Sequence, residues 1–308
     1  MASSSPMLGS LVRIVSLVPH ATELLFALGL GDDVVAVTHE CDFPTAAQQL
    51  PQVTKDRLPA GLSSAEIDAA VRASTEESGT IYELDEQLLH ELAPDLIVTQ
   101  ALCPVCAVSV EEVRAVAEKI TTCPQVVTLD PKTLGETMGD IRTLAQATGA
   151  KDAALDLVAR QRKRIDAVQR AVRGATERPR VLAIEWFEPV FVAGHWTPQL
   201  IELAGGVDAL GFPGEHSEQV DWETARAARP EVVVCMPCGY DAPRAHLEAT
   251  HFAHELATLG ARRIVAVDAS ATFSRPGPRL VDGLELLAHV LHPDRVDAPA
   301  WPALDVAV

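Results

Sequence analysis

Residues 151–173 read KDAALDLVARQRKRIDAVQRAVR, a run with neither Pro nor Gly inside it. Leu155, Val158, Ile165 and Val172 recur at helical spacing, while Arg160, Arg162, Lys163, Arg164 and Arg170 supply a solvated surface, so the run predicts one long amphipathic helix. Gly149 closes the helix before it, and Gly174 and Pro179 follow as stop signals. At ~1.5 Å per residue such a helix is roughly 35 Å long, the width of a small domain. Both flanks alternate short apolar runs with helical segments. The expected fold is therefore α/β: two parallel-sheet α/β lobes joined by one long backbone helix.

Working outward, the expected units are an N-terminal lobe over residues 11–132, connecting helices over 133–178 that include the backbone helix 151–173, a C-terminal lobe over 179–293, and a tail over 294–308. Strands are predicted at 11–17, 34–38, 95–99 and 126–129, then at 180–184, 190–193, 231–235 and 263–267. Helices are predicted at 21–28, 63–77, 84–92, 110–119 and 134–148, then at 198–204, 222–228, 244–258 and 278–291. Two correspondences link the halves. Ala93-Pro94-Asp95 enters the strand Leu-Ile-Val as Arg229-Pro230-Glu231 enters Val-Val-Val, and Pro19-x-x-x-Glu23 matches Pro198-x-x-x-Glu202.

Charge narrows the partners. The chain has 43 acidic and 25 basic side chains, a net charge of −18, with the acids dispersed, which argues against a nucleic-acid partner. No stretch reaches the ~18 apolar residues that cross a bilayer, so no membrane insertion is expected. The start, MASSSPMLGSLVRIVSL, lacks a basic region followed by an apolar run and a cleavage site. That predicts a cytoplasmic protein whose six cysteines are reduced. The sequence shows no Gly-x-Ser-x-Gly, no phosphate loop and no Gly-x-Gly-x-x-Gly after the first strand, so an enzyme is not expected.

In α/β lobes ligands bind beyond the carboxyl ends of the strands, which gathers the loops at Pro19-His20, His39 to Phe43, Gln100 to Cys106, Trp186 to Pro189 and Cys238 to Tyr240. If two lobes face each other, these loops line a cleft. Only 4% of the chain is aromatic, yet Phe43, Trp186, Phe187, Trp196 and Phe273 all fall at strand exits, where they either offer flat faces to a large ligand or pack the lobes together. His20 and His39 suit either axial ligation of a metal or capping of backbone groups. Glu185 and Glu188 are either hydrogen-bond acceptors or solvated edge charges. Arg275 is placed to reach into the cleft.

Ser16-Leu-Val-Pro19-His-Ala-Thr22-Glu23, Cys41-Asp42-Phe43-Pro44, the central helix, the segment Gly194 to Gly206 and Phe273-Ser-Arg275-Pro-Gly-Pro278-Arg279 together resemble the helical-backbone (class III) substrate-binding proteins of ABC importers for iron chelates and cobalamin. The resemblance covers nearly the whole chain and lies closest to the cobalamin-binding branch. It implies non-catalytic binding of a corrinoid, cobalamin-like, or of a related small-molecule chelate in the cleft, with Phe43, Trp186 and the Thr272-Phe273 loop on the ligand. The ligand-binding set expected from loops and resemblance together is Pro19, His20, His39, Phe43, Gln100, Trp186, Glu188, Trp196, Phe273 and Arg275. An ABC permease is the family's partner; with no export signal before the first strand, the sequence itself assigns none. Residues 58–83 look like an insertion, and Thr272 stands where an aromatic side chain is expected.

Cys103-Pro-Val-Cys106 supports a different class of reading. It lies between a strand and a helix N-terminus, where a thiolate is stabilised for redox work, and with His39 and Cys41 it would suit zinc if the loops converge. Structural thiols are the third possibility. Cys235-x-x-Cys238 begins inside a buried strand, so Cys235 is expected in the core.

Overall fold

The computed structural model describes residues 12–59, 61–78, 80–101 and 107–308. The first half runs β1 (Ile14–Ser16), α1 (Pro19–Ala27), β2 (Val34–Ala36), β3 (Thr54–Asp56), α2 (Ser64–Ser78), β4 (Tyr82–Leu84), α3 (Glu86–Leu92), β5 (Leu96–Gln100), α4 (Val110–Ala117) and β6 (Gln125–Leu129). Helices α5 (Leu134–Thr148) and α6 (Lys151–Val172) follow. The second half runs β7 (Arg180–Phe187), β8 (Val190–Val192), α7 (Thr197–Leu203), β9 (Val207–Asp208), β10 (Glu218–Val220), α8 (Trp222–Ala227) and β11 (Val232–Cys235). It ends with α9 (Ala242–His251), α10 (Ala253–Thr258), β12 (Arg263–Val267), α11 (Ala269–Thr272), α12 (Leu280–Leu291) and β13 (Ala303–Asp305).

Strands from the two halves never share a sheet among the described residues. The first lobe has a four-stranded parallel sheet in the order β2-β1-β5-β6. The second is ordered β10-β8-β7-β11-β12-β13, with β9 beside β7. Its centre, β7-β11-β12, is parallel, whereas β8, β10 and β13 are antiparallel additions at the edges, so the second lobe is mixed rather than purely parallel. The central runs Leu-Ile-Val-Thr-Gln and Val-Val-Val-Cys are buried throughout, as strands covered by helices on both faces must be.

The repeated Pro-acid tripeptide has the same structure twice. Ala93 and Arg229 both adopt left-handed backbone, with φ of 42° and 48°. Asp95 Oδ2 accepts the backbone N–H of Arg13 at 2.9 Å, and Glu231 Oε2 accepts that of Arg180 at 2.9 Å. The Nε of Arg13 donates to Leu92 O at 2.8 Å, and the Nε of Arg180 to Ala228 O at 3.1 Å. Each clasp joins two parallel strands at their amino ends, the pole opposite the cleft. The second correspondence diverges: Glu23 is buried and ion-paired, while Glu202 is exposed.

Helix α6 spans about 33 Å at its 22 residues. Thr133 and Glu136 form a capping box at the start of α5, and Gly149, at φ 78°, ends it. The buried stripe of α6 is Ala154, Leu157, Val158, Gln161 and Val168, with Ile165 and Val172 half-buried, so Leu155, expected on that face, points to solvent. Each buried aliphatic contributes about 1.5–3 kcal/mol. Arg164 is not simply solvated: it donates to Glu285 at 2.9 and 2.6 Å and to Asp282 at 2.5 Å, binding α6 to α12. The expected helix over 244–258 breaks at Phe252 into α9 and α10. The expected tail supplies β13, and Val306 behind it is buried.

Candidate functional site

The carboxyl ends of β1, β5, β7, β11 and β12 all open toward a cavity of about 650 Å³ between the lobes. From the first lobe come Pro19 and His20, at the start of α1, with Glu40, Tyr82 and Gln100. The second lobe supplies Trp186 and Phe191 from the β7-β8 hairpin, Gly239 and Arg244, and the Ser274-Arg275-Pro276 turn. The third wall is the segment around α2: Leu58, Leu62, Ile67 and Val71, the last two one helical turn apart on α2. Ser64, at the head of α2, donates its hydroxyl to Glu248 on α9, so this segment of the first lobe is latched to the second across the cleft.

Two arginines tie the lobes beneath this cavity. Arg279 donates from Nε and Nη2 to Glu23 at 2.9 and 2.5 Å, and Arg275 pairs with Asp42 and donates to Glu40 O at 3.3 Å. Burial pushes the Glu23 carboxyl up, against the pull of Arg279. His20 is buried, and burial, with the positive Arg275 nearby, lowers it to about 3, so its imidazole is neutral. Its Nε2 has no hydrogen-bond partner among the described residues, and it does not cap α1. Burial also raises the Glu40 carboxyl, which accepts from the Tyr82 hydroxyl at 3.0 Å. Opposite, Trp186 meets Tyr240 edge-on at 5.6 Å, and the Arg244 guanidinium stands 3.7 Å over the Tyr240 ring.

Of the expected ligand residues, Pro19, His20, Gln100, Trp186 and Arg275 come together on this cavity. The others sit elsewhere. Phe43 is 44% exposed and lies under the Arg279 guanidinium at 4.4 Å, on a neighbouring recess of about 450 Å³ that also contains Trp301. Trp196 and Phe273 are core residues: the Trp196 indole donates to Phe273 O at 2.7 Å, and the Phe273 ring fills the space that Gly283 leaves on α12. Glu188 is exposed on the β7-β8 turn, while Glu185 accepts from the Ser217 hydroxyl at 2.5 Å. His39 Nδ1 is 2.8 Å from the Thr54 hydroxyl, and its ring packs near Tyr82.

Cys41 lies 3.1 Å from the Thr22 hydroxyl and 3.3 Å from that of Thr38, and burial raises its thiol. His39 and Cys41 thus contact different neighbours. Cys103 and Cys106 fall outside the described residues. Among the described residues no three His, Cys, Asp or Glu side chains are grouped to hold a metal. Cys235 lies fully buried in the core, as expected.

Sequence reasoning missed Tyr82, Phe191, Arg244, Ile67 and Val71. The four-residue spacing of the last two was visible, but nothing in the sequence says that α2 folds back over the cleft.

Two α/β lobes on one rigid helix, with a cleft at the facing strand ends, define a substrate-binding protein of the helical-backbone class. The family model described as Periplasmic binding protein matches residues 14–271, and the chain belongs to that family. The Vitamin B12-binding protein of Vibrio cholerae serotype O1 is 24% identical over 280 residues, which cover 89% of this chain and 86% of that protein. The periplasmic heme-binding protein BhuT, solved in complex with two hemes, superposes with a TM-score of 0.67 at 25% identity, covering 91% of this chain and 98% of that one. The periplasmic vitamin B12 binding protein BtuF of Vibrio cholerae gives 0.66 at 22% identity, covering 91% and 96%. These matches overturn the cytoplasmic expectation: the family is one of periplasmic binding proteins, and similar structures are periplasmic, which points to the periplasm.

Proposed function

We propose that this chain binds a metal tetrapyrrole, either a corrinoid of the cobalamin type or haem, between its lobes without chemical change, and delivers it to the permease of an ABC importer. The observation that carries the reading is the cavity itself: Trp186 and Phe191 from the second lobe line it together with Pro19 and Tyr82 from the first and the apolar side chains Ile67 and Val71. A flat, largely apolar ligand gains from such walls, and the polar rim orients it. Similarity to both a vitamin B12-binding and a heme-binding protein supports the same ligand class. The thiol or metal alternative is not favoured, because Cys41 is buried, hydrogen-bonded and held protonated.

Arg244 is the cation on the wall that makes no ion pair among the described residues. The deciding experiment is calorimetry and visible absorption of the purified chain with cyanocobalamin, cobinamide and haemin. The propionates of haem would pair with Arg244, so Arg244→Ala should weaken haemin most if haem is the ligand; equal small losses favour the uncharged corrin amides. Failure of all three to bind below about 100 μM, a free energy of roughly −5.5 kcal/mol, would remove the proposal.

A further inference from the structure

The loops that lead out of β8 and into β10 carry two histidines that the binding cleft does not use. His195 Nε2 and His216 Nδ1 stand 3.1 Å apart with their rings nearly perpendicular, at 89°. The backbone holds them there. His195 N donates to Glu215 O at 2.5 Å and Gly214 N donates to His195 O at 2.8 Å, while the β8-β10 ladder anchors both loops below. Gly194 packs so closely on the 215–217 backbone that a Cβ has no room, and His195 itself adopts φ 52°. A non-glycine residue in that region is uncommon and held by its surroundings.

We infer that His195 and His216 form a preorganised two-nitrogen site for a divalent transition ion such as Ni²⁺, Cu²⁺ or Zn²⁺. Two imidazole donors at ~2.0–2.1 Å from one tetrahedral ion stand about 3.3–3.4 Å apart, so the pair needs to open by only a few tenths of an ångström as the exposed His216 ring turns. The hydrogen now shared between the rings moves to the far nitrogen of its own ring, which leaves two neutral imidazoles, each with a lone pair on the ion. Burial first, then His216 and Lys132, lower the His195 imidazole against the weaker pull of Asp130 from the first lobe, so the ring is held neutral, the form that ligates. No third His, Cys, Asp or Glu completes the set among the described residues, so the remaining positions belong to water or an outside ligand. The site stands apart from the tetrapyrrole reading and does not depend on it.

The test uses the tag-free full chain carrying Cys103→Ser and Cys106→Ser, so that these thiols do not compete. Calorimetry with NiCl₂ should give about one ion per chain, CuCl₂ should bind tighter, and the Cu²⁺ spin-resonance spectrum should show coupling to two nitrogens. His216→Ala should weaken binding at least about tenfold and leave one coupled nitrogen. His195→Asn, which tolerates left-handed backbone, should do the same. Absence of saturable binding up to on the order of 1 mM, or binding unchanged in His216→Ala, would overturn the assignment.

Discussion

Arg279 and Glu23 meet across the two lobes through two hydrogen bonds, although one sits just before the last long helix and the other in the first. The carboxylate is nearly inaccessible to water, so its partner cannot be replaced by solvent. Removing one member of a buried pair strands the other, at a cost of about 3–5 kcal/mol. Glu23→Ala should therefore lower the urea midpoint strongly, and Glu23→Ala/Arg279→Ala should cost less than the sum of the single changes. Single changes below about 1 kcal/mol would mean that the pair is solvated.

Trp186 and Trp196 separate binding from folding. Trp186→Ala should reduce tetrapyrrole affinity ten- to a hundredfold, about 1–3 kcal/mol, with little change in melting temperature. Trp196→Ala should instead cost about 3–5 kcal/mol of stability, because it empties a core position. Parallel melts and titrations of the two variants check this, and an exchange of the two outcomes contradicts the site.

Asp140 on α5 is pushed up to about 7, first by burial and then by Glu136 and Asp130, and its Oδ2 has no hydrogen-bond partner among the described residues. The folded chain therefore holds a proton that the unfolded chain releases near pH 3.8, so this group's contribution falls as pH rises from about 4 to 7. Asp140→Asn should match the wild type below pH 4 and melt higher above pH 7. Equal melting temperatures at pH 8 would show that the carboxyl is hydrated.

His20 carries the opposite sign. Its folded value of about 3 lies below the ordinary 6.5, so the unfolded chain binds more protons between the two and stability is lost as pH falls through that window. His20→Phe should flatten the loss between pH 6.5 and 4, read as urea midpoint against pH. An unchanged slope would mean that His20 is exposed to water.

The backbone helix, the repeated strand entries and the loops that gather at the cleft were legible because they depend on local chemistry: breakers at helix ends, Pro before an acid, apolar runs of strand length. The clasps that Arg13 and Arg180 make there were not, because they join residues 82 and 51 positions apart. The face of α6 was not read correctly at Leu155, because a helix of about six turns packs against α5, α7 and α12 and its buried stripe depends on all of them. Trp196 and Phe273 sit near strand exits in sequence, yet both side chains turn into the core, with the Trp196 indole donating to Phe273 O, a choice of side-chain direction that spacing does not encode. Arg164 looked solvated because Asp282 and Glu285 lie more than a hundred residues away.

The twin clasps of Arg13 with Asp95 and of Arg180 with Glu231 hold strand register from the pole farthest from the ligand. Loops at the other pole can then lengthen or change without disturbing the sheets. Evolution can retune what the cleft accepts while leaving the frame untouched, and a designer who grafts new loops there inherits the same liberty.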